Sequence, residues 1–275
     1  MKILVCRPDH FSIDYSINPW MNVENGINKP LAYQQWQNLV DLMRRLGAEV
    51  VEMQGEPNLP DLVFTANAGL FFIDSQTCVL SNFKHPERQP EQKFYKQWFE
   101  DNGFRAVSLV EDYFFEGAGD ALFRDSSQSK YPNMDNELYC AYGFRSELEY
   151  YQENDFVISA YLKCQRLKIV KLKDPYFYHL DTCFCPLKDD FALIWPGAFY
   201  DLNTFDKFEL LKVPEEDAKK FACNAVCLGN NVIIPSGCEN TKKLLTGAGF
   251  EVYDTDMSEY IKSGGACKCL TLRLE

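Results

Sequence analysis

The feature that most constrains this chain is one pattern repeated along it: a helix, a glycine stop, then a short strand. Pro30 to Leu46 carries Leu31, Gln35, Leu39, Leu42, Met43 and Leu46 near helical spacing, Gly47 ends the run, and Glu49 to Met53 reads as a strand. Phe94, Trp98 and Phe99 lie on a second helix that stops near Asn102-Gly103, followed by Arg105 to Val110. Leu244 and Leu245 lie on a third that stops near Gly247-Ala248-Gly249, followed by Glu251 to Tyr253. Glycine suits these stops because helix C-termini favour a left-handed residue. Paired short strands fall between the units: Gly69 to Ile73 with Cys78 to Leu80, and Ala225 to Leu228 with Val232 to Pro235, the latter pair turning at Gly229-Asn230-Asn231. The first two stops are about a fifth of the chain apart, so a strand–strand–helix–strand unit would occur about five times. No linker or shift in composition divides the chain, and residues 1–275 are expected to form a single α/β catalytic domain.

Composition narrows the function. Of the 275 residues 46% are hydrophobic, enough for a sizeable core. Lys and Arg number 28 against 40 Asp and Glu, a net charge of -12. That argues against nucleic acid or an anionic membrane surface as partner and is compatible with a small cationic substrate. No apolar run approaches the ~18 residues of a membrane helix, and the strand-like start at Met1 to Pro8 is too short for a signal peptide. The 11 cysteines are an odd number, which points to reduced thiols in a cytoplasm. Cys183 with Cys185, and Cys267 with Cys269, are spaced too tightly for the usual zinc knuckle, and Cys223 with Cys227 has no obvious partner pair, so no metal is expected.

Four stretches hold the chemistry. Ser263-Gly264-Gly265-Ala266-Cys267-Lys268-Cys269 enters an alternating run with Leu270, Leu272 and Leu274 on one face, which sets Cys269 where a small-residue loop meets a strand. Asp61 to Gly69 reads as an apolar strand running out, past Phe64, into the carboxamide of Asn67, a donor and an acceptor. In Phe114-Phe115-Glu116-Gly117-Ala118-Gly119-Asp120, Glu116 and Asp120 flank a Gly-rich bend. His179 and Asp181 alternate on an expected strand and so face one way; of the 3 histidines, His10 and His85 sit in loop-like surroundings. A Cys nucleophile needs a base or a cation beside it. His179 can serve, with Glu116 to orient the ring.

These stretches carry a resemblance. Cys-Leu-Thr-Leu-Arg-Leu after a Gly-rich loop, His-Leu-Asp-Thr, Phe-Glu-Gly-x-Gly-Asp and Phe-Thr-Ala-Asn-Ala occur here in an order similar to that of the guanidino-group modifying superfamily. That group includes arginine deiminase, dimethylarginine dimethylaminohydrolase, the amidinotransferases and arginine dihydrolase. The resemblance implies a five-bladed α/β propeller, the pentein fold. It also implies Cys269 as nucleophile, His179 as acid/base, Glu116 as orienting carboxylate and Asp181 as the grip on the guanidinium, with Asp120 and Phe64 beside the substrate. Arg145 resembles the arginine that pairs with the substrate carboxylate, and Asn18, in Ile17-Asn18-Pro19-Trp20, resembles a pocket asparagine of the dihydrolases.

One departure bears on the product. Deiminases and dimethylarginine hydrolases usually carry Asp where this chain has Asn67. A neutral amide can bond both a cationic guanidinium and the neutral ureido group left by one hydrolysis. Thr-Ala-Asn-Ala resembles the dihydrolases, which act twice, and that resemblance implies a dihydrolase giving ornithine, carbon dioxide and two ammonia without a cofactor. A deiminase or dimethylarginine hydrolase would stop at citrulline, and an amidinotransferase would need an amine acceptor. Some pentein proteins are non-catalytic binding factors of ribosomal partners, against which the Cys, His and Glu matches and the acidic charge weigh here. The expected partner is arginine or a close derivative, and homo-oligomerisation is left open.

Overall fold

A computed structural model describes residues 1–109, 112–124, 137–162 and 167–275. They build five three-stranded sheets of one design. In the first sheet β1 (Lys2–Cys6) lies parallel to β2 (Glu49–Met53) and antiparallel to β15 (Leu272–Arg273). The second joins β3 (Gly69–Phe72), β4 (Thr77–Leu80) and β5 (Arg105–Val107). The third joins β6 (Ala121–Arg124), β7 (Glu137–Tyr142) and β8 (Leu167–Lys171). The fourth joins β9 (Phe184–Pro186), β10 (Phe191–Ile194) and β11 (Glu209–Lys212). The fifth joins β12 (Val226–Leu228), β13 (Asn231–Pro235) and β14 (Glu251–Thr255). Each sheet is an antiparallel pair plus one strand returned parallel by a crossover. The chain ends share the first module, so the C-terminal strand closes the ring.

The crossovers are α1 (Lys29–Arg45), α2 (Glu91–Asp101), α3 (Leu148–Leu162) and α5 (Glu239–Gly247); α4 (Glu215–Ala218) and α6 (Ser258–Ile261) are single turns. Asn28 caps α1 by accepting from the Leu31 N–H, and Pro30 occupies its first turn. Its buried face sets Trp36, Leu39, Val40 and Met43 into one of four apolar clusters. Gly47 and Gly103, at φ +91° and +80°, supply the left-handed stops anticipated from sequence. The fourth module departs from the repeat: β10 and β11 are joined by short 3-10 turns at Pro196–Ala198 and Asn203–Phe205.

Three local expectations are corrected. The stretch read as an apolar strand into Asn67 is two 3-10 turns, Pro60–Val63 and Thr65–Ala68. His179 is extended, but Leu180–Thr182 is a 3-10 turn, so His179 and Asp181 do not alternate on a strand. The last strand covers only Leu272–Arg273, and Cys269 sits in the turn before it. Apolar content alone does not tell a buried turn from a strand, and here the turns carry the chain from outer strand to inner one. Val110, the expected end of β5, lies outside the described residues.

The inner strands β3, β6, β9, β12 and β15 line a central cavity of about 470 Å³. At the other end of the ring, the turns leading into those same strands meet.

Candidate active site

Each of the five turns delivers polar chemistry just before its inner strand. Asn67 precedes β3, Glu116 and Asp120 precede β6, His179 and Asp181 precede β9, Asn224 precedes β12, and Cys269 precedes β15. All are buried, at 4% exposure or less. The small cavity between them is lined by Asn18, Phe64, Asn67, Arg145, His179 and Cys269 among the residues expected from sequence, and also by Asp61, Arg88, Tyr178 and Ser263.

His179 Nε2 lies 2.8 Å from Glu116 Oε2, and the same oxygen accepts from Arg145 Nη1 at 3.0 Å. Burial alone would raise the Glu116 carboxyl, but Arg145 and His179 hold it well below the usual carboxylate range. Arg145 Nη2 donates to the Ile17 carbonyl, and its guanidinium lies 4.7 Å from the centre of the Tyr178 ring. Arg145 thus lines the cavity with one arm of its fork already committed to Glu116. Asp120 stands behind His179. It accepts from Ser146 Oγ at 2.7 Å, from the Ser146 N–H at 3.2 Å and from the Leu180 N–H at 3.1 Å, and burial pushes its carboxyl up to about 6. Asp120 does not line the small cavity; its oxygens hold Ser146 and the Leu180 N–H.

Asn67 accepts from Arg88 Nη1 at 2.9 Å and donates to the Glu116 carbonyl at 3.2 Å, so its amide orientation is fixed. Arg88 also pairs with Glu91 at 2.8 Å and donates to the Asp61 carbonyl. Gly119 faces this pair: a Cβ there would collide with Asn67 Nδ2 and stand 3.3 Å from the His179 ring. Asp61 accepts from Tyr15 Oη at 3.0 Å, and burial raises its carboxyl. Asn18 donates to the Ser263 carbonyl at 3.1 Å, and Tyr178 Oη donates to the Gly264 carbonyl at 2.7 Å, which fastens the loop ahead of Cys269.

Cys269 Sγ sits 3.4 Å from Asp181 Oδ2, and Asn224 Nδ2 donates to the sulfur at 3.1 Å. Burial first, then the Asp181 carboxylate, pushes the thiol well above its ordinary value. Asp181 is itself raised by burial, and its Oδ1 has no hydrogen-bond partner among the described residues. A buried, unpartnered carboxylate oxygen beside a thiol is a place a cationic group would occupy. Among the described residues no group of three or more His, Cys, Asp or Glu side chains is arranged to hold a metal ion.

Sequence reasoning missed Asp61, Arg88, Tyr178 and Asn224. Asp61 lay within a quoted stretch, and Arg88 and Glu91 are three apart at the start of a helix. Asn224 stands in the same position before its paired strand as Asn67 does.

The chain matches, over residues 7–275, the family described as N,N dimethylarginine dimethylhydrolase, eukaryotic. It is 42% identical over 287 residues to the bifunctional arginine dihydrolase/ornithine cyclodeaminase AgrE of Nostoc sp., a match covering 100% of this chain and 38% of that protein. It is 34% identical over 273 residues to the N(G),N(G)-dimethylarginine dimethylaminohydrolase of Mycobacterium tuberculosis, covering 97% of this chain and 83% of that one. The crystal structure of the N-terminal domain of ArgZ bound to product, an arginine dihydrolase from cyanobacteria, superposes with a TM-score of 0.87 at 40% identity, covering 100% of this chain and 97% of that one. The chain spans less than two fifths of the full-length AgrE and ArgZ sequences, 38% of each.

Proposed function

The chain belongs to the N,N-dimethylarginine dimethylhydrolase family, and from that premise we propose that it is an arginine dihydrolase working through a covalent intermediate on Cys269. One arginine and two waters give ornithine, carbon dioxide and two ammonia. The observation that carries the reading is the convergence of Cys269, the His179–Glu116 pair and the neutral amide of Asn67 on one buried cavity. The 42% identity to a protein with a dihydrolase activity in its name supports the choice within the family. Residues 1–275 act as one catalytic domain, in a cytoplasm where thiols stay reduced.

The cavity leaves about 10 Å³, the space of one water. Arginine entry therefore requires the segment around Asn18 to part from Ser263 and Gly264. The guanidinium then sits over Cys269 Sγ with one N–H turned to Asp181. Its positive charge offsets the carboxylate that keeps the thiol protonated, and the thiol passes its proton to His179 as the thiolate forms. Sγ bonds to the guanidinium carbon, a C–N bond breaks, and ammonia leaves with a proton from His179. Glu116 holds Nε2, so Nδ1 exchanges that proton. Water gives its own proton to His179, adds to the carbon and breaks the C–S bond, leaving a ureido group in place. A second attack expels a second ammonia, and hydrolysis of the thiocarbamate yields a carbamate that decays to carbon dioxide and ornithine.

The test is product analysis on arginine without added metal or cofactor. Ornithine with two ammonia per arginine and little free citrulline is the expected result. Citrulline with one ammonia would make the chain a single-step hydrolase. The family description and the M. tuberculosis relative favour methylated arginine as the second substrate to try, with dimethylamine or methylamine as the released base.

A further inference from the structure

We propose that Asn224 is the positioning residue of the nucleophile, a clasp that orders the Cys269 turn and presents an N–H to the sulfur. This rests on the reading of Cys269 as the attacking group. The repeat first singles Asn224 out. Four of the five turns that meet at the site carry groups already given a part in the reaction, and Asn224 is the polar side chain of the remaining one, fully buried at 0% exposure.

Its hydrogen bonds define the part it plays. Oδ1 accepts from the Ala266 N–H at 3.1 Å and from the Cys269 N–H at 3.1 Å. Nδ2 donates to the Asp181 carbonyl at 3.0 Å and to Cys269 Sγ at 3.1 Å. The Asn224 carbonyl also accepts from the Lys268 N–H at 3.2 Å. A carboxamide has two donor protons and two acceptor lone pairs, and all four are used. The orientation is forced, because backbone N–H groups only donate and must face Oδ1. The sulfur therefore always meets a donor, which favours the thiolate over the thiol.

The groups facing the sulfur oppose one another. Asp181 Oδ2 favours the thiol at 3.4 Å, and Asn224 Nδ2 favours the anion at 3.1 Å. A guanidinium that occupies Asp181 removes the first influence and leaves the second. The clasp also ties the backbone of Asp181 to that of Cys269, which fixes how the sulfur and the carboxylate together face a guanidinium.

Asn224→Asp tests this, because it keeps the shape and an acceptor for the two backbone donors but replaces the N–H at the sulfur with a carboxylate oxygen. The readout is the rate of iodoacetamide alkylation at Cys269, followed by the mass of its peptide between pH 7 and 9, beside kcat and KM for arginine. Alkylation slows at least tenfold, kcat falls about ten- to hundredfold, the loss of one hydrogen bond to a charged group, and KM moves less. A merely structural asparagine would loosen the turn, and alkylation would then stay the same or accelerate, which overturns the proposal. If N224D does not fold, C269S labelled with 15N-asparagine supplies the measurement. Its Asn224 side-chain protons must shift relative to wild type, and unmoved signals overturn the clasp. If wild type makes no product from arginine while alkylation still slows in N224D, the dihydrolase reading fails and the clasp stands.

Discussion

Replacing Glu116 by glutamine removes one charge from the centre of the site and leaves its shape. The carboxylate lies 2.8 Å from His179 Nε2 and 3.0 Å from Arg145 Nη1, with all three side chains at most 3% exposed. At an effective dielectric constant near 20, each contact with a full positive charge is worth about 6 kcal/mol before desolvation is counted. Breaking a buried pair by removing one partner costs about 3–5 kcal/mol in practice, because the other charge is left uncompensated. E116Q should therefore lower Tm by roughly ten degrees and strand the Arg145 guanidinium. Without the ionised acceptor at Nε2 the ring loses its orienting partner, and proton delivery to the departing ammonia is impaired. General acid catalysis of this kind contributes about 10²–10⁴-fold, and kcat for ammonia release should fall within that range. The Glu116 carboxyl is held below its unfolded value, so its stabilisation is full above pH ~4.5 and is lost as pH falls through the folded value. An acid titration of thermal stability should be flatter in E116Q on that limb. A variant that folds and keeps more than a tenth of wild-type kcat would refute the assignment of Glu116 to His179.

C269S should release no ammonia while still binding arginine by calorimetry; turnover in that variant would remove the nucleophile. N67D would keep the bond from Arg88 but set a carboxylate oxygen against the Glu116 carbonyl, 3.2 Å from the present amide nitrogen, and it should shift products from ornithine towards citrulline, read by chromatography. Unchanged ornithine yield would show that the neutral amide is not what permits the second hydrolysis. D181N should speed alkylation of Cys269 in the free enzyme, because the Asp181 carboxylate raises the thiol, and should weaken arginine binding at least tenfold, the worth of one charged hydrogen bond. Slower alkylation would mean that Asp181 acts as a base on the thiol.

The helix–glycine–strand pattern made the fold legible because its signals are local: a periodic apolar face and a residue able to take positive φ. It failed at the fourth module, where short 3-10 turns replace the helix and leave no periodicity to read. The motifs that made Cys269, His179, Glu116 and Asn67 legible are contiguous runs. Arg88 and Asp61 were not legible, because each earns its place through contacts across the ring, Arg88 with Asn67 over 21 positions and Asp61 with Tyr15 over 46. Arg145 resembles the arginine that pairs with a substrate carboxylate, and only the fold reveals that Glu116 engages one arm of its fork and the Ile17 carbonyl the other. The expected strand at His179-Leu180-Asp181 placed both side chains on one face. The 3-10 turn instead sends His179 to Glu116 and Asp181 to Cys269, which separates the proposed acid/base from the proposed grip.

The charges at this end of the ring do not balance, and the imbalance bears on the order of the two hydrolyses proposed above. Asp61, Glu91, Glu116, Asp120 and Asp181 are buried there with the guanidinium groups of Arg88 and Arg145. Arg88 is matched with Glu91 and Arg145 with Glu116. Asp61 is held by the Tyr15 and Ser263 hydroxyls, Asp120 by Ser146 and the Leu180 amide, and Asp181 by the Cys269 thiol. Burial raises all three despite Arg88 near Asp61 and His179 near Asp120 and Asp181, just as it raises Glu91 despite Arg88. An arginine guanidinium would supply the missing charge, whereas citrulline, neutral at the reacting end, would not. In the proposed reaction the ureido intermediate is therefore attacked where it is formed, against Asn67, and not after release and return. Citrulline added from solution should then be used at least thirtyfold less efficiently than arginine in kcat/KM, about 2 kcal/mol at the reacting end. Equal efficiency in a steady-state assay of ornithine formation would mean that the carboxylates do not select the first substrate by charge, and that Asn67 alone holds both.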